Sequence, residues 1–150
     1  MGETRKRGTR ATFHPGWEPF SLPEDEVLRR GAALFNDEMW WEAHEVWEEV
    51  WRMRKGRPDR DFLKGMIQGA AGMWHVSQGN YKGAVSVLSR AVSYLEPYRP
   101  RKDGVDVDAL SQALREAITA SQEALATGRP AEVHMIKLEL RPEGGAGAPS

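Results

Sequence analysis

The 150-residue sequence predicts an all-α protein, a compact bundle of about five helices around a central second helix. Apolar residues recur every three or four positions along five successive stretches, which is the spacing of one helix face. Residues that begin or end helices, such as Ser, Asp, Asn, Gly and Pro, stand between these stretches. With 40% hydrophobic and 29% charged residues, the chain has the composition of a globular domain that buries a sizeable core.

The first two helices are predicted between residue 21 and about residue 54. In the stretch SLPEDEVLRRGAALFN, Ser21 and Glu24 have the spacing of a capping box, and acidic residues fill the first turn. Asp37 is the predicted cap of the second helix. The segment KGRPDR, which contains Gly and Pro, ends that helix.

The third helix is predicted from about residue 59 to residue 78. Its glycines lie on one side and let a neighbouring helix come close; they are Gly65, Gly69 and Gly72. Asn80 is the predicted cap of the fourth helix, YKGAVSVLSRAVSYLEPY, which carries a clear apolar stripe.

The fifth helix is predicted to begin at an Asp108 cap and to stop at Gly128. Its inward residues are Leu110, Leu114, Ala117, Ile118 and Leu125. Beyond it, alternating apolar residues in EVHMIKLEL predict an extended segment that lies on the body of the protein. The sequence thus predicts an extended basic arm (1–20), a helical domain (21–127), and an extended arm with a disordered tail (128–150).

The charge and composition exclude several classes of protein. A net charge of −1 provides no general attraction for nucleic acid or a membrane surface. No apolar run approaches the roughly 20 residues of a membrane span, and MGETRKRGTR lacks the apolar core of a signal peptide. The chain has no cysteine, so a bound metal would need His, Asp or Glu ligands. We therefore expect a cytoplasmic protein without a membrane partner.

The stretch WWEAHEVWEEVWR, residues 40–52, is the most unusual part of the chain. On a helical wheel, ionisable and aromatic residues share one side, and only Glu42 and Glu49 lack a large apolar neighbour. A helix with so little polar surface is normally an inner one. Residues of the third helix are expected to approach it. The predicted polar cluster comprises His44, Glu45, Glu48, Trp51, Gln68 and His75.

Roughly residues 31–98 resemble the domain of unknown function 309 family, small all-helical bacterial and archaeal proteins. The resemblance begins with a His-Glu pair followed by Glu and Trp, and continues with an Ile-Gln-x-Ala-Ala segment, a His and a Gly-Asn-x-x-Gly-Ala segment. These residues are His44, Glu45, Glu48, Trp51, Ile67, Gln68, Ala70, Ala71, His75, Gly79, Asn80, Gly83 and Ala84. The resemblance implies an all-α bundle built round a central helix, and it implies no activity.

The favoured hypothesis is a small intracellular binding or scaffolding module that uses no cofactor and meets a protein partner or a small ligand. Its polar cluster would be a hydrogen-bond network that fixes the second and third helices. The alternative is a metal-dependent hydrolase, because HEVWE resembles half of a zinc-binding helix. In that case His44, Glu48 and His75 would bind a divalent metal, and Glu45 would act as base.

A second alternative is the binding of nucleic acid or phosphate by the loop after the second helix. Basic side chains cluster there and could contact phosphate groups. The net charge of −1 favours a solvated loop instead, so nucleic acid is disfavoured as a partner. The predicted phosphate-binding residues are Arg52, Arg54, Lys55, Arg57 and Arg60.

Overall fold

The computed structural model describes residues 22–140 and confirms the all-α class. The five helices, α1 to α5, are Glu24–Asn36, Trp40–Met53, Arg60–Ser77, Tyr81–Leu95 and Val107–Thr127. A single 3-10 turn and an antiparallel hairpin join α4 to α5: the turn is Glu96–Tyr98, β1 is Arg101–Lys102 and β2 is Val105–Asp106. The predicted N-terminal arm and the predicted C-terminal tail lie outside the described residues.

Each helix packs mainly against the next helix in the chain. α2 lies between α1 and α3, and α3 lies between α2 and α4, so both are inner helices. All five helices contribute to one buried core, which includes Phe35, Trp47, Leu63, Leu88 and Leu114. No helix within residues 22–140 combines the length and the apolar composition that crossing a membrane requires.

α2 exposes little surface, in agreement with its wheel pattern. Trp47 is fully buried, and its indole Nε1 donates a hydrogen bond of 3.1 Å to the backbone oxygen of Leu28 on α1. Glu49, which the wheel placed on the outer face, is only 2% exposed and pairs with Arg52. A helical wheel shows only the neighbours within one helix, whereas contacts with the rest of the chain also bury a side chain.

Two predicted helix ends are confirmed. The Oδ1 atom of Asn80 accepts a 3.1 Å hydrogen bond from the backbone nitrogen of Gly83 at the start of α4. Gly128 follows α5 with a left-handed φ of 76°, a conformation that glycine adopts without strain.

The prediction for Leu125 is wrong: this side chain is 55% exposed, and Ala124 is buried instead. One position along a helix turns the side chain by about 100°, so Ala124 faces the bundle and Leu125 faces solvent.

Two other predicted caps are wrong. α5 is capped by Asp106, whose Oδ1 accepts a 2.9 Å hydrogen bond from the backbone nitrogen of Ala109, rather than by Asp108. The short hairpin ends at Asp106 and sets this starting point. Asp37 ends α1 instead of capping α2, because the turn between these helices continues to Met39.

Two glycines of α3 allow α4 to approach closely. A Cβ atom added to Gly65 would lie 2.7 Å from Leu95, and one added to Gly72 would overlap Leu88. Gly69 differs, since an added Cβ would meet only the Leu114 side chain, at 3.5 Å. The close helix predicted from these glycines is therefore α4.

The segment after α5 is extended and returns to α1. Leu138 is buried, its backbone nitrogen donates to Oδ1 of Asn36 at 2.7 Å, and its carbonyl oxygen accepts from Nδ2 of Asn36 at 2.8 Å. Lys137 Nζ donates a further 2.7 Å hydrogen bond to the backbone oxygen of Asn36. We call residues 129–140 the arm. It covers part of the core with Val133, Met135, Ile136, Leu138 and Leu140.

Gly72→Ala should destabilise the fold by about 1–3 kcal/mol, because the new methyl group overlaps Leu88 in a closely packed interface. Urea unfolding measures this change in the free energy of unfolding. Gly69→Ala on the same helix is the matched control. Its methyl group has room, and the better helix propensity of Ala should stabilise the variant by up to about 1 kcal/mol. Equal effects of the two substitutions would contradict the α3–α4 contact.

Candidate functional site

His44 and Glu48 form a pair one turn apart on α2. His44 Nε2 lies 3.5 Å from Glu48 Oε2, and Arg52 Nη2 lies 3.9 Å from Glu48 Oε1. The Glu48 side chain keeps 26% of its surface exposed, against 11% for His44. Glu48 is therefore a partly buried carboxylate with two loose contacts and no short hydrogen bond.

The charge of Glu48 is only partly compensated. Burial raises the pKa of its carboxyl above the ordinary value of 4.5, since removal from water disfavours the charged form. The positive charge of Arg52 lowers this pKa, while the charges of Glu45 and Glu49 raise it further. The net direction is upward, so the surroundings within α2 disfavour the ionised carboxylate.

Four aromatic rings connect α2 to α3, and we call them the ring chain. His44 stacks on Trp41, Trp41 contacts Trp74, and Trp74 meets His75, at centroid distances of 4.3, 5.1 and 5.1 Å. Two indole rings thus stand between the two histidines. The predicted cluster omitted Trp41, although its place three residues before His44 puts both on one helix face.

His75 belongs to the corner between α3 and α4. Its Nδ1 lies 3.0 Å from Nδ2 of Asn80. The amide orientation follows from the capping bond, in which Asn80 Oδ1 accepts from Gly83, so Nδ2 donates and His75 Nδ1 accepts. Gln68 is partly buried, and its side chain makes no hydrogen bond to any residue from 22 to 140. These contacts do not bring Gln68 and His75 to Glu48.

The metal-centre hypothesis required His44, Glu48 and His75 to converge. In the stretch 22–140, no group of three or more His, Asp and Glu side chains is arranged to hold a metal ion. The indole rings of Trp41 and Trp74 fill the space between the histidines. Glu45, the suggested base, is only 2% exposed. This geometry gives no support to a hydrolase.

Trp51 lies on the same side of α2 and receives two cations from α3. The guanidinium of Arg60 stacks 3.6 Å from the ring centroid, and Lys64 Nζ lies 5.7 Å away. Arg60 Nε also donates a 2.9 Å hydrogen bond to the backbone oxygen of Trp51. The Trp51 ring is thus a cation-binding surface within the protein itself.

Arg54 is buried among three carboxylates. Its Nη2 lies 2.7 Å from Glu24 and 2.8 Å from Asp103, and its Nη1 lies 3.5 Å from Asp59. These partners come from the start of α1, the hairpin and the residue before α3. Glu24 takes part in this cluster; Ser21, its expected capping-box partner, lies outside the described residues. The acids compensate for the burial of the guanidinium, which is only 1% exposed.

The predicted phosphate site is not a free basic surface. Arg57 pairs with Glu24 and Asp59, each at 2.9 Å, and Arg52 pairs with Glu49. Lys55 is exposed. Arg54 and Arg60 also have internal partners, so carboxylates, a ring and a backbone oxygen engage Arg52, Arg54, Arg57 and Arg60. Phosphate binding by these residues and Lys55 stays a prediction.

Asp59 is the acid most strongly affected by this basic cluster. Burial alone would raise the pKa of its carboxyl. Hydrogen bonds from Arg57 and Lys102, together with the charges of Arg54 and Lys102, outweigh burial and lower the pKa to about 2. The loop between α2 and α3 is therefore held by ion pairs that need a charged Asp59.

A known family matches the part of the chain that contains Glu48 and the ring chain. The model of the family described as "Domain of unknown function (DUF309)" matches residues 28–87. Over these residues the chain is similar to that family. The resemblance predicted for roughly residues 31–98 is confirmed, with slightly different limits. Glu48 and the ring chain lie within the matched residues, whereas α5 and the arm lie outside them.

The chain is also similar to an "Uncharacterized protein" of Aquifex aeolicus (strain VF5). The two sequences are 24% identical over 117 residues, which cover 77% of this chain and 34% of the relative. The chain therefore spans about a third of the length of that relative. Neither this description nor the family's description states an activity.

Glu48→Gln should change the pH dependence of stability. Below about pH 4.5, Glu48 is protonated in the folded and the unfolded chain. As the pH rises from 4.5 through the raised folded pKa, the unfolded chain loses its proton first, and the wild type loses stability relative to the variant. Urea unfolding across this range measures the difference.

The control for this experiment is Glu42→Gln, which removes one negative charge from another face of α2. Its stability difference from the wild type should vary less over the same pH range. Parallel curves for the wild type and Glu48→Gln would contradict the assigned cause, the removal of Glu48 from water.

Asp59→Asn should have the opposite pH profile. Because the folded pKa of Asp59 is about 2 and its ordinary value is 3.8, the charged carboxylate stabilises the wild type above pH 3.8. This advantage over the variant should disappear as the pH falls from 3.8 toward 2. Acid-dependent thermal melts test it, with the exposed Asp61→Asn as control. A constant gap between wild type and Asp59→Asn would refute the role of these ion pairs.

Proposed function

We propose that this protein is a binding module and that α2 recognises a positively charged segment of a partner protein. The proposed surface consists of Glu48 and the rings of Trp41 and Trp51. The observation that carries the proposal is the state of Glu48, a partly exposed carboxylate whose raised pKa reflects incomplete compensation. An arriving cation would supply the missing charge.

The composition of α2 supports a cationic partner. The helix contains four glutamates and one arginine, so its field attracts positive charge. Trp41 and Trp51 are both partly exposed, and flat rings beside a carboxylate suit an arginine or lysine side chain. Arg60 provides an internal example, since its guanidinium already stacks on Trp51.

A protein partner is favoured over nucleic acid because of the distribution of charge. Four of the five basic residues that could bind phosphate are engaged with carboxylates, a ring and a backbone oxygen, and the adjoining α2 presents the partly exposed carboxylates of Glu42 and Glu48. A polyanion would be repelled by this surface. The scaffolding role proposed from the sequence is compatible with the same face, because an arginine-rich segment could be held there while other surfaces remain available.

The test is an NMR titration with the peptide acetyl-Gly-Arg-Gly-Arg-Gly-amide, followed through the tryptophan indole N–H signals. Saturable shifts are expected for Trp41 and Trp51. Glu48→Gln should weaken binding about tenfold, the effect expected from losing one charge-assisted hydrogen bond. Glu42→Gln removes the same charge elsewhere on α2 and should weaken binding less than about threefold.

Three results would refute the proposal: no saturable shift, equal losses in the two variants, or equal binding of a peptide in which Glu replaces Arg. Raising the salt concentration should weaken the binding of the arginine peptide, since part of its affinity comes from charge.

A further inference from the structure

The arm and the ends of three helices enclose a second feature, a cleft of about 490 Å³. It lies between arm residues 130–135, the start of α2, the end of α3 and the start of α4. Small-molecule sites in proteins are typically clefts of roughly 300–1,000 Å³. The cleft does not include Glu48 or the ring chain, so it is separate from the surface considered above.

Apolar side chains form part of the cleft lining. Trp40 and Met73 line it from the bundle, and Val133 and Met135 line it from the arm. These side chains suit an aromatic or aliphatic body of a ligand, because its contact with them removes apolar surface from water. The flexible thioethers of the two methionines can adapt to ligands of different outline.

Two polar groups at the cleft give it a chemical preference. Glu38 lines the cleft, is exposed, and makes no ion pair or side-chain hydrogen bond with any residue in the range 22–140. Tyr81 Oη accepts a 2.9 Å hydrogen bond from the backbone nitrogen of Ala131, which leaves its own proton available to a ligand. A carboxylate and a hydroxyl beside the apolar side chains of Trp40, Met73 and Met135 favour an amine that also carries an apolar group.

The backbone at Glu38 is consistent with a role for its side chain. Glu38 follows α1 with φ of 61°, the left-handed conformation that glycine adopts most easily. A non-glycine residue in this conformation is strained. This turn directs the chain from α1 into α2 and leaves the Glu38 carboxylate beside Trp40.

We propose that this cleft is a binding site for a small organic cation with an aromatic or aliphatic body. Glu38 pairs with the ammonium group, and the body lies between the bundle and the arm. Because Val133 and Met135 supply one wall, the ligand holds the arm against the helices. Binding therefore requires no contact with α2 beyond Trp40.

Phenethylamine and 3-phenylpropionate are suitable probes, since they share a ring and carry opposite charges. With methyl-labelled methionine, phenethylamine should shift the Met73 and Met135 signals saturably, and 3-phenylpropionate should bind more weakly. Glu38→Gln should weaken the binding of phenethylamine about threefold to fivefold. This is the range expected for an ion pair at an exposed carboxylate. Hydrogen exchange at the Ala131 amide should slow when phenethylamine is bound.

Asp37→Asn is the matched control, because it removes a neighbouring exposed charge that does not line the cleft. It should leave phenethylamine affinity unchanged. Glu38→Gly is a second variant that suits the left-handed backbone and keeps the test independent of folding; it should weaken binding like Glu38→Gln. The proposal is overturned if the two methionine signals do not shift saturably, if 3-phenylpropionate binds as tightly, or if both Glu38 variants retain full affinity.

Discussion

The arrangement of the helices depends on Arg54, a buried guanidinium at the end of α2. It holds Glu24 at the start of α1, Asp59 next to the start of α3, and Asp103 in the hairpin. A buried arginine without these acids would be strongly unfavourable, so the partners must assemble together. By joining the ends of α1, α2 and α3, Arg54 fixes the position from which Arg60 reaches the ring of Trp51.

The predictable parts of the fold are those that depend on neighbours in the sequence. Apolar spacing identified all five helices, and Asn80 was recognised as a cap because its partner is three residues away. The Arg54 cluster could not be predicted, since Glu24 is 30 positions away and nothing in the sequence assigns it to Arg54. From the sequence alone, a basic loop is predicted to be exposed to solvent, because the distant acidic residues that pair with it are not known.

The same distinction applies to the candidate site. The approach of His44 to Glu48 follows from their separation of one helical turn, and it was predictable. The position of His75 was not, because it depends on the register of α3 along α2. Trp41 and Trp74 meet at that interface and fill the space where a third metal ligand would have to lie. Aromatic bulk thus decides which polar residues come together.

The hydrogen bonds between Asn36 and Leu138 also affect the timing of folding. They join positions 102 residues apart, near opposite ends of the described chain. A chain that emerges from its N-terminal end can pack α1 to α4 as each helix appears. The part of the core next to Asn36 is completely buried only after α5 has been synthesised and the arm has packed against the bundle. Folding of the helices and closure of the core are therefore successive steps, and the second waits for a long loop to close.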